Sequence, residues 1–81
     1  MILPTKHLRP DRALIGVGAE VLVILRQPMT VSRLWDEIRR RRSLRDPNAP
    51  IAYPWFILTL DFLFTISAID FDRGLLRRAQ P

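Results

Sequence analysis

The spacing of apolar residues along the chain predicts three α-helices. The first covers residues 11–26, with Pro10 suited to its first turn, and it is apolar on nearly every side. The second covers residues 32–45, with Ser32 as the expected N-cap. The third covers residues 54–67 and is rich in aromatic and branched aliphatic side chains. Helices with such broad apolar faces are expected to be buried on more than one side.

The pattern also predicts a small amount of β-structure. Residues 29–31 resemble a short strand, and residues 69–72 alternate between apolar and polar side chains. Residues 73–74 supply a turn, so that residues 75–78 can return as the second strand of a hairpin. The fold class is therefore mainly α with a small β-hairpin. Its order of helix, short strand, helix, helix, hairpin is winged-helix-like.

The chain is expected to contain one domain, preceded by an arm. Residues 1–10 read as an extended N-terminal arm because Pro4 and Pro10 prevent an early helix. Residues 11–81 form the single winged-helix-like domain, as the short length permits no second one.

Composition gives this small domain more apolar side chain than it can bury alone. Hydrophobic residues make up 48% of the 81 residues, whereas a chain of this size buries only about 60–65% of its unfolded surface. The surplus can lie against a membrane or against another protein. The two longest apolar stretches are too short to span a bilayer and contain Glu20 and Asp61, so we expect no membrane segment. The lack of cysteine agrees with a cytoplasmic location.

The chain offers little material for catalysis. His7 is the only histidine, and Ser32, Ser43 and Ser67 have no base nearby in the sequence. Asp70 and Asp72 share a predicted strand face but are too few to hold a divalent cation well. We therefore predict no catalytic, cofactor-binding or metal-binding residue, and a protein that is not an enzyme.

Nucleic acid is the main alternative to a protein partner. The net charge is +5, yet the third helix, which would read DNA in a winged helix, contains no lysine or arginine. The basic residues of the second helix could contact a DNA backbone or an acidic protein, and the sequence favours the protein. These residues are Arg39, Arg40, Arg41, Arg42 and Arg45.

Short motifs distributed over nearly the whole chain complete the pattern. They are ILPTKHL at 2–8, PDRAL at 10–14, VGA at 17–19, TVSRLW at 30–35, WF at 55–56, LD at 60–61, LF at 63–64 and GLLRR at 74–78. Together they resemble the small middle components of bacterial ABC three-component systems. The motif at 2–8 is the most specific part of this resemblance.

The resemblance implies that the protein works together with a large ATPase of the SMC or RecN kind and with a separate effector component. Such three-gene sets, including Lamassu-like ones, are associated with anti-phage defence. The resemblance also implies an adaptor without catalytic residues or a cofactor. The expected partner contacts come from the arm and from the apolar faces of the first and third helices. They are Ile2, Leu3, Pro4, Thr5, Lys6, His7, Leu8, Trp55 and Phe56. A winged-helix DNA-binding protein remains the alternative, and a protein of the membrane surface is a weaker one.

Overall fold

The computed structural model describes the backbone of residues 10–48 and 50–79, and the side chains from residue 14 onward within these ranges. The predicted arm contacts at positions 2–8 lie outside the described residues. Pro10, expected at the end of the arm, is the first residue of a helix.

Three helices and one hairpin make up the described part of the chain. The helices are α1 (Pro10–Ile24), α2 (Val31–Arg45) and α3 (Tyr53–Thr65). The antiparallel strands are β1 (Ile69–Asp72) and β2 (Leu75–Arg78). The predicted fold class, mainly α with a small hairpin, is confirmed.

The start of α2 differs from the prediction. Thr30, not Ser32, is the N-cap: its hydroxyl accepts a hydrogen bond of 3.1 Å from the Arg33 backbone N–H, and its own backbone is extended. Ser32 is the second residue of the helix. The strand predicted at 29–31 is correspondingly reduced to one bridge, in which Met29 exchanges two backbone hydrogen bonds with Leu76.

The hairpin is closed by a two-residue turn. Arg73 and Gly74 both have positive φ angles, 54° and 82°, as a type I′ turn requires. Strand β2 pairs with β1 on one side and with Met29 on the other, so the hairpin is anchored to the segment that joins α1 to α2. This anchoring stabilises a hairpin that would be marginal alone.

The core lies between the three helices and one face of the hairpin. Helix α1 approaches α3 closely at Gly18, where an added Cβ would lie 3.3 Å from a methyl carbon of Leu63. The hairpin closes the core through Ile69 and Leu76, which are 2% and 0% exposed. The buried apolar residues are Val17, Val21, Ile24, Leu25, Met29, Leu34, Ile38, Ile51, Trp55, Phe56, Leu60, Leu63, Ile69 and Leu76.

Candidate partner-binding surface

Trp55 and Phe56, predicted as partner contacts, lie in the core. Their exposed fractions are 2% and 0%, and the Phe56 ring packs 5.0 Å from the ring of Trp35. The start of α3 turns this pair inward because it packs against α2 rather than facing solvent. Their placement is therefore corrected from surface to core, and in this conformation they offer a partner no side-chain surface.

The surroundings of Trp55 include one unsatisfied polar group. Its indole N–H is buried and has no hydrogen-bond acceptor among the described residues. The Thr59 hydroxyl, also buried, donates to the Trp55 carbonyl at 2.9 Å and is satisfied.

Seven apolar residues instead form an exposed surface, which we call the apolar strip. Helix α1 lies along its middle, α3 along one side and α2 along the other. The most exposed members are Ile15 (60%), Val23 (52%), Leu44 (76%) and Ile66 (54%). The complete strip is Ile15, Ala19, Leu22 and Val23 of α1, Leu44 of α2, and Phe62 and Ile66 at α3 and its end.

A shallow groove runs between α1 and α3 within the apolar strip. Its lining contains no charged or polar side chain and consists of Ile15, Gly18, Ala19, Leu22, Phe62, Leu63 and Ile66. Gly18 deepens this groove, since it lets the Leu63 side chain approach the α1 backbone. Such a lining fits the apolar side chains of another protein rather than a polar ligand.

A second groove, between α1 and α2, shares Ala19 with the first. Val23 and Leu44 form its apolar part, and Glu20, Arg41 and Arg45 lie along its edge. The apolar strip is therefore continuous across α1 and is bordered by charge on the α2 side. An apolar centre with a polar rim is the usual composition of a protein interface.

Glu20 joins α1 to α2 through two arginines. One of its carboxylate oxygens accepts hydrogen bonds from Arg42 Nη2 at 2.7 Å and Arg42 Nε at 3.1 Å. The other oxygen accepts from Arg45 Nη2. The side chains of Glu20 and Arg42 are only 21% and 18% exposed, which shields this pair from solvent.

Three further arginines of α2, at positions 39–41, are also paired with carboxylates. Arg39 lies 2.6 Å from Asp36, and Arg40 lies 2.9 Å from Glu37. Arg41 is 3.9 Å from the same Glu37 oxygen that Arg40 binds. Although Asp36 and Arg40 are four residues apart on the helix, each pairs at i,i+3 with a different partner.

These pairs reduce the electrostatic potential of the predicted arginine face. The five arginines at 39–42 and 45 share three carboxylates, those of Glu20, Asp36 and Glu37. The hydrogen bond from Arg40, followed by the nearby positive charges, lowers the pKa of Glu37 below its ordinary 4.5. Phosphate contact by this face stays a prediction, and it would have to compete with these carboxylates.

Asp70 and Asp72 of the hairpin are also held by an arginine. Arg77, opposite Asp70 in the strand register, lies 2.6 Å from Asp70 and 3.5 Å from Asp72. The hydrogen bond to Asp70 raises the pKa of Arg77 above its ordinary value. On the other face of the hairpin, Phe71 stacks on Phe64 with ring centroids 6.2 Å apart.

Sequence reasoning named the apolar faces of the first and third helices but missed Leu44. Its position between Ser43 and Arg45 hides it in a basic segment. On a helical wheel it lies away from the buried pair Leu34 and Ile38, and that displacement is a signal in the sequence.

Two further features were sought among the described residues. No group of three or more histidine, cysteine, aspartate or glutamate side chains in this part of the chain could hold a metal ion. Within the same residues, every helix is too short or too polar to cross a membrane.

Comparison with known proteins gives one match. The family model described as ABC-three component (ABC-3C) system Middle Component 6 matches residues 3–79. Neither the curated proteins nor the solved structures gave a match.

Proposed function

From the premise that this chain belongs to the family of ABC-3C system middle components, we propose that it is a non-catalytic adaptor. In this proposal it joins an ATPase of the SMC or RecN kind to an effector component in a bacterial anti-phage defence complex. Membership in a multi-component system implies protein partners. The adaptor proposal adds that the chain binds two of them and so joins them.

The apolar strip is the observation that supports this proposal. Four large apolar side chains on it are more than half exposed to solvent, although a domain this small needs its apolar side chains for its core. Contiguous apolar surface on a small domain is typical of permanent protein interfaces, which resemble a domain core cut in half. The carboxylates of Glu20, Asp36, Glu37, Asp70 and Asp72 are each paired with arginine, an arrangement suited to structure rather than to proton transfer.

The predicted arm can extend the same surface. It leads into α1 at Pro10, and Ile15 of the apolar strip follows one and a half helical turns later, about 7.5 Å along the axis. The arm contacts remain part of the proposal, since these residues lie outside the described ones.

Co-expression with the products of the neighbouring genes tests the proposal. With a tag on this chain, we expect the ATPase and the effector to co-purify with it. The double variant Val23→Asp and Leu44→Asp places charge in the apolar strip and should lower recovery of a partner roughly tenfold or more, as expected for central interface residues.

Ser43→Asp is the matched control for this experiment. Compared with the single variant Leu44→Asp, it adds the same charge to an exposed position next to Leu44, but outside the apolar strip, and should leave recovery unchanged. A chain that stays stable and monomeric alone and recovers neither partner would refute the adaptor proposal. If the wild type and the double variant recover the partners equally well, the apolar strip is not the surface that binds them.

A further inference from the structure

Four arginines have no carboxylate within ion-pair distance among the described side chains. They are Arg26, Arg33, Arg73 and Arg78, and all four are exposed. Arg26 shares one groove with Arg33 and a second groove with Arg78, whereas Arg73 lines neither groove. This set differs entirely from the paired arginines at 39–42 and 45, which the sequence alone made conspicuous.

Arg26 connects two adjoining shallow grooves. It lines one groove with Arg33 and Arg41, and the other with Arg77 and Arg78. Arg26 lies in the segment after α1, Arg33 in the first turn of α2 and Arg41 about two turns further along it, and residues 77–78 end β2. We call Arg26, Arg33 and Arg78, together with the flanking Arg41 and Arg77, the arginine corner.

We propose that the arginine corner binds the phosphate backbone of duplex DNA, a role that goes beyond the adaptor function. The exposed guanidinium groups of Arg26, Arg33 and Arg78 have no carboxylate partner among the described side chains, so they can bind phosphates without first breaking one of the described ion pairs. Gln27 lies in both grooves and adds an exposed amide that can donate to a phosphate oxygen. The contact carries no sequence specificity, because it addresses only the backbone.

The local charge supports an anionic ligand. Among the described residues, Glu37 is the one carboxylate that lines either groove, and its oxygen already accepts a hydrogen bond from Arg40 at 2.9 Å. Asp70 and Asp72, the nearest carboxylates in the hairpin, are held by Arg77. Positive charge therefore dominates both grooves.

The lining favours DNA over an acidic protein. Apart from the exposed Pro28, the apolar residues of the two grooves are Ile24, Leu25 and Met29, which are at most 8% exposed and offer no anchor. Protein interfaces draw most of their affinity from large apolar or aromatic side chains at a buried centre. Protein–DNA interfaces are polar and strongly positive, as the arginine corner is.

Salt-dependent binding of the full chain to two duplexes of unrelated sequence tests the proposal. The test variant combines Arg26→Gln, Arg33→Gln and Arg78→Gln. The control combines Arg39→Gln, Arg40→Gln and Arg45→Gln, which removes the same charge from paired arginines. We expect the test variant to reduce the slope of log K against log salt by about 3 on both duplexes, and the control by less than about 1.

Two results would overturn the proposal. In one, the wild-type chain shows no binding to either duplex at low salt. In the other, the two triple variants lose affinity equally, so that net charge alone governs binding. If the wild-type chain ignores DNA but the test variant no longer co-purifies with the ATPase or effector, the arginine corner faces an acidic protein. All six positions are exposed, and matching circular dichroism spectra and melting temperatures would verify the fold of both variants.

Discussion

At the residue scale, Glu20 shows most clearly what three-dimensional packing adds. In the sequence it is a charge within an apolar helix, which argues only against a membrane span. In the structure its carboxylate is bound by Arg42 and Arg45, which lie 22 and 25 residues further along the chain. This pairing depends on how α1 crosses α2, and no local spacing encodes it.

Replacing Glu20 tests whether this pairing stabilises the fold. Glu20→Gln removes the charge that the poorly exposed Arg42 guanidinium binds, so we expect the free energy of unfolding to fall by about 1–2 kcal/mol. Asp36→Asn is the control, since its ion pair with Arg39 is more than half exposed and should contribute about 0.5 kcal/mol or less. Urea denaturation measures both, and equal losses would contradict the structural role of Glu20.

Trp55 and Phe56 show the reverse case. This aromatic pair was predicted to contact a partner, yet both rings are buried. The exposed large apolar side chains of α3 are Tyr53 at its start and Phe64 near its end, with Ile66 just after the helix. Sequence periodicity cannot decide which side of a helix that is apolar all round faces the core.

At the element scale, the sequence predicts the helices and the hairpin well. Proline and glycine positions mark their limits, and the strands at 69–72 and 75–78 have the predicted bounds. The start of α2 is the exception, because Thr30 and Ser32 are both good N-cap residues. The bridge between Met29 and Leu76 fixes the extended backbone just before Thr30 and so selects Thr30.

This choice of N-cap can be measured with two substitutions. Thr30→Ala removes the acceptor for the Arg33 N–H and should lower the free energy of unfolding by about 1 kcal/mol. Ser32→Ala should change it by about 0.5 kcal/mol or less, since Ser32 is exposed within the first turn. If Ser32→Ala lowers the free energy of unfolding more than Thr30→Ala does, in thermal or urea denaturation, Ser32 is the N-cap.

At the scale of the whole molecule, the surplus of apolar residues was predictable but its location was not. Composition alone indicates a partner, since 48% hydrophobic residues exceed what a domain of this size can bury. The structure concentrates that surplus on the apolar strip across α1, α2 and α3, whereas Pro28 is the exposed apolar residue among those described at the arginine corner. The two surfaces differ in chemistry and adjoin at Arg41, which lines a groove of each, so we expect protein partners and DNA to bind on neighbouring surfaces.

Native mass spectrometry of the ATPase and the effector, mixed with and without this chain, tests the adaptor function most directly. The account predicts a complex of all three proteins when the chain is present. It also predicts no complex of the ATPase with the effector when the chain is omitted or carries Val23→Asp and Leu44→Asp. An ATPase–effector complex that forms equally well without the chain would contradict the adaptor function.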